Sequence, residues 1–495
     1  MSGGVFMKIL LGVCLITCCL LSGCQLDEEI REEARQQGLT GDVAQHRQLP
    51  AIDDPLPQLG LKLFYTKALS GDKDVACVSC HHPVLGGGDG LSLSIGTGAI
   101  EDDVLGPERQ HSSLAANYNG GGPTVPRNAP TVFNIAFYDQ TLFDDGRIEC
   151  VNASTGANGE GDDIRTPDVA IGMIDPDAGD NLTMAQARFP ITSKAEMRGF
   201  TFLPDASNDE IRAHLANRLA GAPGYENELD KNQWLTWFRA GFSDPEGTAQ
   251  ALITEKNIAR ALGEFERSMV FVDTPWKAYL AGNDDAISLK AKMGALLFMR
   301  PVRKGGAGCM ACHKGDFFTD ESFHVLAVPQ VGIGKDHDSG IDGTNDRGRW
   351  YQTRQVDDRF AFRTPTLLNV TETGPWGHSG AYTTLQGIIR HHLNPRKAVY
   401  NYDVSQLDPR VQTEDMLENT EQALQQLSRL QREGKSKLVA TYLSDSQIDL
   451  LIAFLASLTD PCVKRSECLS PWIDTGESPD DLQLIALDGQ GHPLE

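Results

Sequence analysis

A mainly α-helical protein, built as two similar halves with long loops, is the fold class that these 495 residues predict. Three observations lead there. Apolar residues recur at helical spacing: Ile258, Leu262, Phe265 and Met269 run 4-3-4, one buried helix face. A segment Leu59-Gly60-Leu61-Lys62-Leu63-Phe64 is echoed at Met293-Gly294-Ala295-Leu296-Leu297-Phe298, about 230 residues later, and each leads into a Cys-x-x-Cys-His motif. The 49 glycines and 25 prolines call for long ordered loops rather than a tight bundle. Long strand alternation is scarce, so any sheet should be small.

In chain order, Lys8 and the apolar run from Ile9 to Leu21 read as a secretory leader, too short to span a membrane comfortably. Leu21-Ser22-Gly23-Cys24 resembles a bacterial lipoprotein box, which implies cleavage to leave Cys24 lipidated; an ordinary cleaved signal is the alternative. Gln25 after it favours the outer membrane under that rule. Residues 1–23 are therefore read as signal and 24–57, charged and proline-marked, as a tether. Two domains follow, 58–274 and 275–460, with the boundary where the Ile258–Met269 helix should stop, at Thr274-Pro275. Ser444-Asp445-Ser446-Gln447 is a capping box that opens an apolar helix expected to run to Leu458. Residues 461–495 form an acidic tail with no legible function.

Of eleven cysteines, three leave with the leader and Cys24 is the candidate lipid site. Cys462 and Cys468 can bridge in an oxidising compartment. Cys150 reads as a small buried hydrophobe or a reactive thiol. The remaining four form Cys77-Val78-Ser79-Cys80-His81 and Cys309-Met310-Ala311-Cys312-His313. In such a motif two sulfurs attach a haem through its vinyl groups and the histidine reaches the iron, so two covalently bound haem c groups are expected. A four-cysteine zinc site is the competing reading, and it leaves both histidines unexplained.

From Leu59 to Leu458 the chain resembles the bacterial di-haem cytochrome c peroxidase family, which includes MauG. The carriers are both motifs, Arg127-Asn128-Ala129-Pro130-Thr131-Val132-Phe133-Asn134, Asp145-Gly146-Arg147, Glu196-Met197, Arg363-Thr364-Pro365-Thr366-Leu367-Leu368-Asn369-Val370 and His378-Ser379-Gly380. The resemblance implies two cytochrome c-like domains, a peroxide-reacting N-terminal haem and an electron-relaying C-terminal haem. It implies Glu196 as the distal acid–base group, since heterolysis of peroxide needs a proton carried between its oxygens. Taken alone, Glu196 would read as a solvated carboxylate. Gln186 and Pro190 fall on the family's other distal positions. A calcium ion is implied at the Asn128 side chain and the backbone oxygens of Thr373 and Pro375, although Asn128 could instead cap a turn.

Three departures from the family pattern matter. Where typical members carry a distal histidine, Ser94-Ile95-Gly96 is followed by Thr97, a poor iron ligand, so the first site is expected to be open or water-bound. His111, in the loop that follows, is a substitute candidate. The position of the second haem's distal methionine, tyrosine in MauG, is His392; Leu385, Ile388, Ile389 and His392 share one helical stripe, and His391 points about 100° away. Exchange of methionine for histidine should lower that haem's potential. The family's inter-haem tryptophan falls on Asp144, beside Phe143, so the usual aromatic step is absent or displaced.

The leading expectation is a peroxidase reducing hydrogen peroxide with electrons from a small cytochrome c or cupredoxin. A MauG-like oxidase of a protein or organic substrate is the second reading, and a non-enzymatic electron carrier or sensor the third. The formal charge of −24 argues against nucleic acid or anionic lipid as partners. Membrane contact is expected only through the lipid, in the periplasm, and a homodimer is usual in the family.

Overall fold

The structure, a computed structural model, describes residues 25–115, 122–161, 163–336, 340–341 and 343–494. The leader and Cys24 lie outside the described residues. The fold is mainly helical. Among the described residues strand is confined to two small sheets, β1 (Thr141–Leu142), β2 (Ile148–Cys150) and β3 (Ile164–Arg165) in one and β4 (Phe323–Val325) with β5 (Ala361–Arg363) in the other, all antiparallel.

The same packing occurs twice. The Pro55–Tyr65 helix, opened by a proline whose missing N–H costs nothing there, lies on the Glu255–Ser268 helix. The Leu289–Met299 helix, capped by Ser288, lies on the Asp445–Ala456 helix. Each contact needs a glycine. A Cβ on Gly60 would collide with the Ala261 carbonyl and stand 2.6 Å from Phe265 Cβ. One on Gly294 would collide with the Leu450 carbonyl and stand 2.9 Å from Phe454 Cβ. The phenylalanine one turn after each glycine then meets its partner, Phe64 on Phe265 at 4.9 Å and Phe298 on Phe454 at 5.1 Å between ring centroids. The lead-in repeat is thus a close-packing device that aims the following loop. Both loops end in a 3-10 turn on the motif, Cys77–Ser79 and Cys309–Ala311.

The other motifs tie the halves together. Asn134 donates to the Phe271 carbonyl and accepts from the Phe271 amide, at 3.0 and 2.8 Å. Asn369 donates to the same carbonyl at 2.9 Å and accepts from the Asp460 amide at 2.9 Å. Both asparagines sit at positive φ, 62° and 63°, which asparagine tolerates better than most residues. Arg127, buried, is paired with Asp145 at 2.8 Å and Asp346 at 2.6 Å. Removing one partner from such a pair leaves a buried charge and typically costs about 3–5 kcal/mol.

The structure differs from the sequence expectations in three places. The segment read as a tether is folded: residues 25–36 form a helix that buries Ile30 and Ala34 and makes ion pairs from Asp27 to Lys292 and from Arg31 to Asp284. Its apolar stripe is one residue wide, which polar composition conceals. The Glu255–Ser268 helix ends before Met269, not at Thr274-Pro275, because the chain leaves it to pair Met269 and Phe271 with Asn134. Pro275 instead opens the next helix, Pro275–Leu280, behind the Thr274 cap. The capping box at Ser444 is formed as expected, and its helix stops at Ala456, two residues short of Leu458. The tail is also ordered. Cys462 and Cys468 are joined, and residues 474–487 lie along the first half, with Lys62 bonded to Asp474 at 2.7 Å and Thr66 and Trp234 both donating to Asp480. Cys150 is buried in β2.

Candidate active site

At the second motif Cys309, Cys312 and His313 line a cavity of about 1030 Å³, walled by Phe298, Leu451, Leu455, Leu385 and Ile389, with His392 on the far side. Burial holds the imidazoles of His313, at about 4, and of His392 below their ordinary value, so both are neutral at pH 7. The Nδ1 atoms approach carbonyls, Phe318 O at 2.9 Å and Ile388 O at 2.8 Å. A carbonyl only accepts, so Nδ1 carries the proton and Nε2 keeps its lone pair for a metal. Metal–imidazole bonds of about 2.0–2.1 Å, with each ring centroid about 1.1 Å behind its nitrogen, put two rings across one ion at roughly 6.3 Å. The His313 and His392 centroids are 6.5 Å apart. The apolar walls, the paired thiols and this spacing fit a haem. His391 has no such freedom, since Tyr382 Oη and Leu326 O engage its two nitrogens at 2.8 Å each.

At the first motif His81 is likewise kept neutral by burial, with Nδ1 3.2 Å from Gly87 O and Nε2 left as the acceptor. Burial pushes the Cys77 thiol up, and the Cys80 thiol up to about 12. Thioether formation removes that cost by removing the ionisation. Glu196 lies in a single π-helical turn, Lys194–Arg198, a local widening often found at functional sites. Its carboxylate is close enough to Cys80 to raise that thiol, and Met197 Sδ lies 3.9 Å from Cys77 Sγ. Gly96 presses on this turn so closely that a Cβ would sit 2.9 Å from Glu196 Cα. Thr97 donates its amide to Ala195 O and its hydroxyl to Lys194 O, both at 3.2 Å. Gln186 closes the short Leu182–Ala187 helix, its Oε1 buried without a hydrogen-bond partner among the described residues, and Pro190 opens the turn that follows. His111 is buried and its backbone bridges Ala99. The buried cysteine pair and the available His81 Nε2 fit a second haem.

Between the motifs, Asn128 donates its amide to Leu91 O at 2.7 Å and Ser92 O at 3.2 Å, which leaves its oxygen as the acceptor. Asn128, Thr373 and Pro375 all line the large cavity. So does Asp144, whose carboxyl is raised by burial against the pull of Arg127 and Arg363. Phe143 lies under Arg147 at 3.5 Å from guanidinium to centroid. Phe362 stacks on His378 at 3.7 Å and 11° between planes. Sequence reasoning passed over the Phe362–His378 stack, because a residue within a motif does not announce its stacking partner.

Two haem-binding centres on a mainly helical frame define a di-haem c-type cytochrome. Residues 55–285 match the family model described as di-haem cytochrome c peroxidase. The methylamine utilization protein MauG of Methylorubrum extorquens is 28% identical over 73% of this chain and 77% of its own length. The cytochrome c peroxidase Ccp of Escherichia coli is 25% identical over 78% of this chain and 63% of its own. Among solved structures, a MauG-like protein associated with microbial copper homeostasis superposes with a TM-score of 0.53 at 20% identity, over 87% of this chain and 97% of that one. The chain is thus similar to both di-haem cytochrome c peroxidases and MauG proteins. Among the described residues no helix is long and apolar enough to cross a membrane.

Proposed function

We propose that this protein is a peroxidase that reduces hydrogen peroxide to water at its N-terminal centre, with electrons drawn from an external donor protein through its C-terminal centre. The supporting observation is the inequality of the two centres. A second neutral imidazole, His392, faces His313, whereas the group that acts on Cys80 at the first motif is Glu196, in the turn to which Thr97 is bonded. Haem, when bound, supplies an iron at which the peroxide O–O bond is cleaved. His81, its Nδ1 proton held by Gly87 O, offers Nε2 from one side. Glu196 takes a proton from the inner peroxide oxygen and returns it to the outer one, and Gln186 and Pro190 shape the pocket around that transfer. Thr97, with its hydroxyl already donated to Lys194 O, would not hold the iron, so peroxide could reach it. His313 and His392 would together hold the second haem, and a histidine in place of methionine would lower its potential.

In this reading Cys77, Cys80, Cys309 and Cys312 carry the thioethers, and Asn128, Thr373 and Pro375 hold calcium through oxygen atoms, as hard cations prefer. The mature chain is exported to the periplasm and anchored through Cys24. The donor is a small cytochrome c or cupredoxin. A Glu196→Gln variant tests the assignment: peroxide cleavage should fall by at least a hundredfold while both haems stay attached, the loss typical of a removed acid–base group. Unchanged turnover would remove Glu196 from the mechanism.

Two features favour a MauG-like oxidase as the second reading. The expected inter-haem aromatic is replaced by Asp144 on the cavity wall, and the second centre carries two imidazoles. Both features favour holding oxidising equivalents over rapid relay. Peroxide turnover without consumption of reduced cytochrome c, with oxidation of an organic or protein substrate, would select that reading.

A further inference from the structure

Arg109 is 1% exposed, and among the described residues it forms no ion pair. Asp74, Asp102 and Asp89 act on this buried guanidinium only through space, so its direct partners are other groups. All of its hydrogen bonds go to main-chain carbonyls: Nε to Ile95 O at 2.7 Å, Nη2 to Gly96 O at 3.0 Å, and Nη1 to Asp102 O at 2.9 Å and Val104 O at 3.0 Å. One planar cation therefore staples the stretch ahead of Thr97 to the loop that follows it. That loop is held in turn by the chain's C-terminal end. Leu105 donates to Leu487 O and Leu487 to Asp103 O, both at 2.9 Å, and Ile485 donates to the Asp103 carboxylate at 3.2 Å. Gly489 packs on Glu108 so closely that a Cβ would stand 2.6 Å from Glu108 Cβ. The tail is itself fastened to the first half at Asp474 and Asp480.

We propose that Arg109, braced by the strap of residues 474–494, is a positioning residue that holds Gly96 and Thr97 against the Lys194–Glu196 turn and so presets the site of the first centre. The inference rests on the reading of Glu196 as the acid–base group. The direction of support is fixed by contact. Gly96, whose carbonyl Arg109 holds, bears on Glu196 Cα, and Thr97 donates to the consecutive carbonyls of Lys194 and Ala195. Lysine cannot reproduce the clamp, because its single ammonium cannot reach four carbonyls that a planar fork spans. A site held in this way needs no prior rearrangement to expose it, so the fully oxidised protein should react with peroxide directly.

The test uses the full-length protein with both haems and two variants, Arg109→Gln and a deletion of residues 485–495. Hydrogen exchange at the Thr97 and Met197 amides reads the clamp without reference to turnover. Both should exchange at least tenfold faster in Arg109→Gln, and to a smaller extent in the deletion. In electron paramagnetic resonance of the resting protein, the N-terminal haem signal should change shape and the C-terminal signal should not. A role confined to general stability would move both signals or neither. If Arg109→Gln does not fold, the deletion alone decides, since it leaves Arg109 and its four carbonyl bonds in place. Wild-type exchange at both amides with an unaltered N-terminal signal would overturn the inference. Failure of Glu196→Gln to affect peroxide cleavage would instead overturn the acid–base reading and leave the clamp to stand or fall on exchange.

Discussion

Replacement of Gly294 by alanine probes how the second centre is built. The added Cβ would lie inside van der Waals contact of the Leu450 carbonyl oxygen, 2.6 Å from Leu450 C and 2.9 Å from Phe454 Cβ. Carbon atoms pack at about 3.5–4.0 Å, so the two helices must part by roughly 1 Å. The obstructing atoms are backbone and the root of a fully buried phenylalanine, neither of which can swing aside. Overpacking costs typically about 1–3 kcal/mol, and a backbone obstruction belongs at the upper end, near ~3 kcal/mol or roughly a hundredfold in the folding equilibrium. Parting these helices shifts Phe298 off Phe454 and loosens the wall behind Cys309 and His313. Guanidinium unfolding followed at each haem's absorbance would measure the loss, with Gly60→Ala as the mirror experiment on the first centre. The expectation is that each variant weakens its own centre first. A Gly294→Ala protein as stable as the parent, or one whose N-terminal haem is released first, would refute the reasoning.

Other outcomes follow from the same structure. His392→Met should raise the potential of one haem only, measured by spectroelectrochemistry; an unaltered potential and spectrum would exclude His392 as a ligand. Glu266 is buried, with Oε2 unpartnered among the described residues, and burial pushes its carboxyl up to about 8 from an ordinary 4.5. The unfolded chain releases this proton first, so stability should fall as pH rises from 4.5 towards 8, by about 1.4 kcal/mol per pH unit. Glu266→Gln should flatten that slope in unfolding titrations, and an unchanged slope would place the titrating group elsewhere. If Asn128, Thr373 and Pro375 hold calcium as proposed, a chelator should weaken peroxide turnover, and calcium but not magnesium should restore it, since magnesium demands a tight octahedron; indifference to chelator would remove the ion from Asn128.

Much of this arrangement could be read from the chain. The Cys-x-x-Cys-His motifs announce themselves because two cysteines and a histidine must stand at fixed spacing for the chemistry. His392 could be singled out from His391 because helical spacing puts it on the stripe of Leu385 and Ile389, and the structure shows those residues lining one cavity. The helix at residues 25–36 escaped because Ile30 and Ala34 are too few apolar residues to outweigh their charged neighbours. The end of the Glu255–Ser268 helix escaped because it is set by Asn134, more than a hundred residues away. Arg109 and the tail carried no signal at all. A lone arginine and an acidic terminus look like solvated surface until the fold brings four carbonyls to one and a loop to the other.

The central claim is that the two haem centres are unequal, the first open and the second closed by two imidazoles. Electron paramagnetic resonance of the resting, fully oxidised protein tests it most directly. One high-spin and one low-spin ferric haem are expected, and addition of peroxide should consume the high-spin signal without prior reduction. Two low-spin haems in the resting protein would contradict it.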